Sequence, residues 1–310
     1  MTGQVRQGVA PFYVRSAIGR ALVATRAMIG RDRAYRIGQY PVVLPPTHKL
    51  PWFQRVFPTY DRYASDLLES LCHEAHSPFM VDIGANVGDT ALLALDAVHN
   101  ISVVSVEGDE TFLLYLRKNT VQVEARVTII PSFLEMPNKP GLAYHTDGST
   151  GGFAVGDAAV AEADVSTVSA DEVLSHCVGH DLVIWKTDTD GLDVSLLLSS
   201  WRAIDLACHV VWFELDPVLD VEEGRHVIDL AQAIAASGRT ALIFDNTGRH
   251  MMTVEPAGVV AALSGLTRWL LGPGNPGQVT YLDVWAVRPE VADGTHLGSY
   301  AALANRATTK

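Results

Sequence analysis

Val81-Asp82-Ile83-Gly84-Ala85-Asn86-Val87-Gly88-Asp89-Thr90 decides the fold. An apolar run broken by one acid leads through two glycines into the helix-forming residues 91–97. That order predicts a buried strand, a tight turn and a helix start. Such a junction brings backbone N–H groups and the positive end of a helix close to a ligand. Gly84 reads as a point where the backbone approaches a bound molecule, so a side chain there is expected to obstruct binding more than folding. A second apolar run, 101–106, ends in Glu107, nineteen residues beyond Gly88. An acid at the end of the second strand is the usual holder of ribose hydroxyls in a nucleotide-binding βαβ unit.

The spacing around the turn selects the nucleotide. A dinucleotide site reads G-x-G-x-x-G, whereas this turn reads D-x-G-x-N-x-G. Asp82 and Asp89 flank it, and two carboxylates would repel a pyrophosphate at close range, where water screens poorly. They suit a ligand with an amino group and a sulfonium, S-adenosylmethionine (SAM). The cofactor-binding candidates are Asp82, Gly84, Asn86, Gly88, Glu107 and, after the next strand, Ser132. Two readings compete with this one. An NAD- or nucleotide-sugar-dependent oxidoreductase is opposed by Asp82 and the missing third glycine. A non-catalytic scaffold is opposed by the retained pocket residues.

Outward from this unit, short β-branched runs predict strands at 79–83, 102–106, 127–131, 182–187, 210–215, 241–244 and 279–287. Helical patterns fall between most of them, at 89–98, 110–119, 170–176, 192–201, 222–237 and 257–271, with another at 60–76 before the first. Alternation of this kind implies a mostly parallel sheet with helices on both faces. Residues 138–156, rich in Gly, Ser and Thr and holding His145 and Asp147, read as a loop or hairpin at the carboxyl end of the sheet. Pro45, Pro46, Pro51 and Pro58 make 41–58 read as a linker. The expected organisation is a basic arm and linker over 1–58, one catalytic domain over 59–290 and a small-residue tail over 291–310.

Charge is unevenly spread. The chain carries −12 over 310 residues, but residues 1–60 hold nine Lys or Arg and one acid, and the remainder carries −20. An acidic body argues against nucleic acid as substrate, because phosphate binding needs a basic face. The arm includes an amphipathic pattern at 11–30. It is expected to pack on the acidic body or on a partner subunit of a homodimer, to attach to an acidic surface, or to close over an acidic substrate. Cys72, Cys177 and Cys208 are isolated, which fits a reducing, cytoplasmic compartment and no disulfide framework. No apolar run reaches the length of a transmembrane segment.

A second constellation is Leu182–Asp193, LVIWKTDTDGLD. Lys186, Asp188 and Asp190 alternate at the end of an apolar strand, which places them on one face. Buried charges need partners, so they pair with each other or with a ligand. The next strand also ends in acids, Glu214 and Asp216. Asp188, Glu214 and Asp216 are thus candidate oxygen ligands for a hard cation such as Mg²⁺. Candidate bases for an acceptor hydroxyl are Asp188, His145 and His250.

With these residues in view, the chain resembles the FkbM family of SAM-dependent O-methyltransferases. The likeness is carried by Val81–Thr90 with Ser105-Val106-Glu107-Gly108 and Leu116-Arg117-Lys118-Asn119, by Val165–Leu174 (VSTVSADEVL), and by Leu182–Asp193. The last is similar to the family's K-x-D-x-E-G-x-E signature, with Asp190 and Asp193 where the family has glutamates. The resemblance implies a Rossmann-like class I methyltransferase fold, seven-stranded and mostly parallel, with an antiparallel last strand. It also implies methyl transfer to a hydroxyl of a sugar, glycoside or related metabolite, so the partner is a small-molecule or oligosaccharide acceptor.

Overall fold

The computed structural model describes residues 30–136, 142–146, 151–155, 166–219, 224–273, 275 and 279–294, with 142–146 and 151–155 given as backbone only. The arm up to residue 29, Asp147 and the tail beyond residue 294 lie outside the described residues.

The chain begins with a hairpin, β1 (Arg33–Ile37) and β2 (Tyr40–Leu44), then helices α1 (Leu50–Val56) and α2 (Arg62–Cys72). The turn-bearing unit follows as β3 (Pro78–Ile83), α3 (Asp89–Ala97), β4 (Ser102–Val106), α4 (Glu110–Thr120) and β5 (Val127–Ile130). Short strands β6 (Phe133–Leu134) and β9 (Thr167–Val168) pair with each other, and β7 (Leu142–Thr146) pairs with β8 (Gly151–Val155) in the hairpin expected there. The second half runs α5 (Ala170–Leu174), β10 (Leu182–Thr187), α6 (Asp193–Ala207), β11 (Val210–Leu215), α7 (Val227–Ala236), β12 (Thr240–Asp245), β13 (His250–Val254), α8 (Val259–Leu271), β14 (Leu282–Val287) and α9 (Pro289–Gly294).

The main sheet has eight strands in the order β13-β12-β14-β11-β10-β3-β4-β5. Strands β5, β4, β3, β10 and β11 are parallel, while β14 runs antiparallel between β11 and β12. This is the mostly parallel, Rossmann-like sheet expected, with two differences. An eighth strand, β13, extends it, and the antiparallel last strand is inserted between two others instead of lying at the edge. The order reverses between β3 and β10, and ligands in open α/β sheets bind at such a switch, outside the carboxyl ends of the strands.

Both faces are covered. Leu182 and Ile184 of β10 pack with α2, α3 and the first hairpin, while Val183 and Trp185 pack with α5 to α8. The span 41–58 is not an unstructured linker. Val42 and Leu44 are buried in the first of these layers, and Asn119 of α4 holds Val43 by its N–H (2.8 Å) and its carbonyl (3.0 Å). Among the described residues no helix is long and apolar enough to cross a membrane.

Candidate active site

The turn after β3 is tied mainly to the end of β4 and to Glu107. Gly84 and Ala85 donate their N–H groups to the carbonyl of Val106 at 3.0 and 3.1 Å, and Gly88 donates to Ala85 at 2.8 Å. The N–H of Asn86 goes to Oε2 of Glu107 at 2.7 Å, and Oε1 of Glu107 accepts from Asp109 at 2.7 Å. These four turn amides are therefore engaged within the protein. Gly84 (φ 75°), Asn86 (φ 48°) and Gly88 (φ 85°) are all left-handed, which explains two glycines and an asparagine at these positions. Burial pushes the carboxyl of Glu107 up to about 7, against its backbone donors.

Asp82 lies beneath the turn, fully buried, with Oδ1 3.0 Å from the ammonium of Lys186 on the neighbouring strand. The amino group it meets is thus a lysine of this chain. Lys186 also reaches Oδ2 of Asp188 at 3.3 Å. Burial works against the charge of Lys186, but the carboxylates of Asp82 and Asp188 overcome it and raise its pKa. Asp188 has about half of its side chain in solvent, and its N–H donates to Ile83 across the switch point at 3.1 Å. Asp190 leaves the alternation: its backbone is left-handed (φ 49°). The buried carboxylate of Asp193 accepts the N–H of Thr189 at 3.2 Å and closes the loop that carries Asp188.

The remaining candidates divide. Ser132 follows β5, with its hydroxyl 2.7 Å from that of Ser166. Of His145 only the backbone in β7 is described. His250 begins β13, four strands from β10, roughly 19 Å away at ~4.8 Å per strand. Its Nε2 lies 2.9 Å from the hydroxyl of Thr253, and burial lowers its pKa. His250 and Asp188 are therefore not brought together.

The three acids proposed for a cation do not fit one. A metal needs carboxylates that are ionised and free to converge. Asp216 spends Oδ1 on the amides of Val218 (2.9 Å) and Leu219 (3.0 Å), and Asp188 is paired with Lys186. Burial, then the neighbouring charges of Asp188 and Asp216, raise the pKa of Glu214, so the three acids do feel one another. Among the described residues no group of three His, Cys, Asp or Glu side chains is placed to hold a metal ion.

Other residues complete the site. Asp283 of β14 is in register with Glu214, and its Oδ1 accepts the indole N–H of Trp212 at 3.2 Å. Asp61 precedes α2 in a left-handed conformation (φ 63°) without capping that helix. Its Oδ2 accepts from Gln54 (2.8 Å), which in turn accepts from Tyr35 (2.6 Å). Burial pushes both Asp61 and Asp283 up to about 7. In the sequence, Asp283 interrupts an apolar strand much as Asp82 does, and that was the available signal. Asp61 lies at the start of the helix read over 60–76, where an acid looks like an ordinary first-turn residue and offers no such signal.

No family model matches the chain, and no curated protein matches it. Solved structures do. The methyltransferase FkbM from Methylobacillus flagellatus KT is 14% identical, with 76% of this chain and 58% of that one covered and a TM-score of 0.38. An O-methyltransferase from Bacillus cereus in complex with SAH is 11% identical, with 74% and 80% covered and a TM-score of 0.38. Precorrin-6y C5,15-methyltransferase from Geobacter metallireducens GS-15 is 12% identical, with 72% and 87% covered and a TM-score of 0.38. At such values the fold rests on the strand order described above, not on these neighbours.

Proposed function

We propose that the protein is a SAM-dependent methyltransferase acting on a hydroxyl of a small molecule or oligosaccharide, of the sugar or glycoside kind that the FkbM resemblance implies. The observation that carries this is the sheet itself, with its carboxylate-lined turn at the point of reversal and an antiparallel strand inserted next to β11. An antiparallel last strand is part of the fold that the resemblance implies, and β14 is that strand. The turn supports the same reading, because amides already bonded to Val106, Ala85 and Glu107 are not available to cradle a pyrophosphate.

When bound, SAM supplies a methyl group already activated by its sulfonium. The chain supplies placement. Glu107 fixes the turn through Asn86 and would share its carboxylate with the ribose hydroxyls. Asp188, oriented by Lys186, stands at the switch point where a cationic sulfur and ammonium would lie. Asp82 acts at one remove, by holding Lys186. The acids, tyrosines and tryptophans beyond Asp188 form a wall suited to hydroxyl groups, with acceptor and methyl kept in line at near-attack distance.

Calorimetry decides between cofactors. S-adenosylhomocysteine (SAH) should bind and NAD should not; binding of NAD without SAH would overturn the reading.

A further inference from the structure

Asp283 is an expensive residue for its position. It interrupts the buried strand Leu282–Val287, and an acid in such a place costs free energy unless something compensates. Period-two geometry puts it on the face of Trp285, with Glu214 of β11 on one side in register and Phe244 of β12 on the other. Its carboxyl is gripped by neutral donors, the indole of Trp212 at 3.2 Å and the phenol of Tyr63 from α2. Trp212 is itself fixed by stacking on Trp285, with ring centroids 4.2 Å apart. Among the described residues no cation is bonded to it, because the ammonium of Lys186 is held by Asp82 and Asp188.

Resting on the methyl-transfer reading above, we propose that Asp283 is the general base that takes the proton of the acceptor hydroxyl, with Trp212 and Tyr63 as the residues that position it. Asp188 is less suited, since its carboxylate is committed to Lys186, and His250 lies on the outermost strand. The step balances simply. The acceptor oxygen bonds to the methyl carbon while the carbon–sulfur bond breaks. The electron pair of that bond stays on sulfur, and the hydroxyl proton passes to Asp283.

The charged and titratable groups facing Asp283 are Lys186 and Asp188 from β10, Glu214 from β11, Tyr60 and Asp61 ahead of α2, and Tyr63 on it. Burial together with the negative charge of Asp188 lifts the proton affinity of Asp283, while its donors and Lys186 restrain the rise. A carboxyl that protonates near neutral pH is matched to taking a proton from a weakly acidic hydroxyl.

The test uses the full chain with SAH bound and the aspartate carboxyl carbons labelled with carbon-13. Of the aspartate resonances that titrate near neutral pH, Asp61 among them, one should be missing from Asp283→Asn. Its midpoint should move upward in Tyr63→Phe, which removes a donor to the carboxylate. In transfer assays with labelled SAM and catechol or methyl α-D-glucopyranoside as probes, Asp283→Asn should lose roughly 100-fold or more in kcat. KM and SAH affinity should change little, and Asp283→Glu should recover part of the loss. A titration with no such resonance, or wild-type kcat in Asp283→Asn, overturns the proposal. Failure of the wild-type chain to bind SAH by calorimetry would instead overturn the methyltransferase reading.

Discussion

Gly84→Ala separates a turn built for the fold from one built for the ligand. Gly84 has a φ of 75°, a region that costs a residue with a side chain about 1–2 kcal/mol. The added Cβ would also overlap the carbonyl oxygen of Asp188 and come within 3.3 Å of Cγ2 of Thr189. That oxygen belongs to backbone, and the N–H of Asp188 is pinned to Ile83 at 3.1 Å, so it has little room to swing away. Overpacking of this kind costs about 1–3 kcal/mol. The sum, about 2–5 kcal/mol, is a large part of the roughly 5–15 kcal/mol that holds a native protein together. Urea unfolding followed by circular dichroism should show the midpoint falling with an unchanged slope, and SAH calorimetry on the folded fraction should show weaker binding second. A loss of stability below about 0.5 kcal/mol would refute the clash, since surface changes of no consequence have that size. Lost SAH binding at full stability would return Gly84 to the ligand-facing role suggested by the sequence alone.

Lys186→Met should destabilise by about 3–5 kcal/mol, because it strands the buried carboxylate of Asp82, and Asp82→Leu in the same chain should recover much of that loss. Asn119→Ala should cost about 2–4 kcal/mol in chemical denaturation, since it leaves the N–H and carbonyl of Val43 and the carbonyl of Val87 without their partner. EDTA should leave SAH affinity unchanged, and Asp216→Ala should cost only about 1 kcal/mol as a lost loop cap. The carboxyl of Glu107 is raised from 4.5 to about 7 on folding, so its contribution to stability is full below 4.5 and fades as pH rises through 7. Glu107→Gln should flatten that part of the stability–pH curve measured by thermal melts.

The parallel strands were legible because burial on both faces writes them as continuous apolar runs. The helices between them were legible for the same reason that the sheet needs cover. What escaped was structure that obeys other rules. Four prolines suggested a linker, yet Pro51 sits in the first turn of α1, where a missing N–H does no harm, and the span they were read to break up also holds β2. Strand β13 escaped because its side chains stay half-exposed at the sheet's edge. Glu107 could be placed from spacing along one βαβ unit. Asp283 could not, because its meeting with Trp212 and Tyr63 depends on the last strand being inserted next to β11. Spacing could place His250 near a strand end but could not say which strand.

One row of residues crosses the sheet in register: Ser105, Asp82, Lys186, Trp212 and Trp285. The row two residues toward the amino ends of the parallel strands is apolar where it passes through β3, β10 and β11, as Met80, Ile184 and Val210. Buried ion pairs are often no better for stability than apolar residues of the same volume. A sheet selected for stability alone would have continued the apolar pattern through Asp82 and Lys186. Their charges sit one layer beneath Asp188 and Glu214, directly under the reversal of strand order, and nowhere else in this row. Lys186 turns the buried charge of Asp82 outward and fixes Asp188 at the rim. The stacked tryptophans continue the row and hold Asp283 at the same height. The polar layer is therefore a mounting for two carboxyls that feel each other's charge, one tied to a cation and one held by neutral donors. Under the methyl-transfer proposal, that asymmetry suits them to different tasks, attracting a positively charged cofactor and accepting a proton.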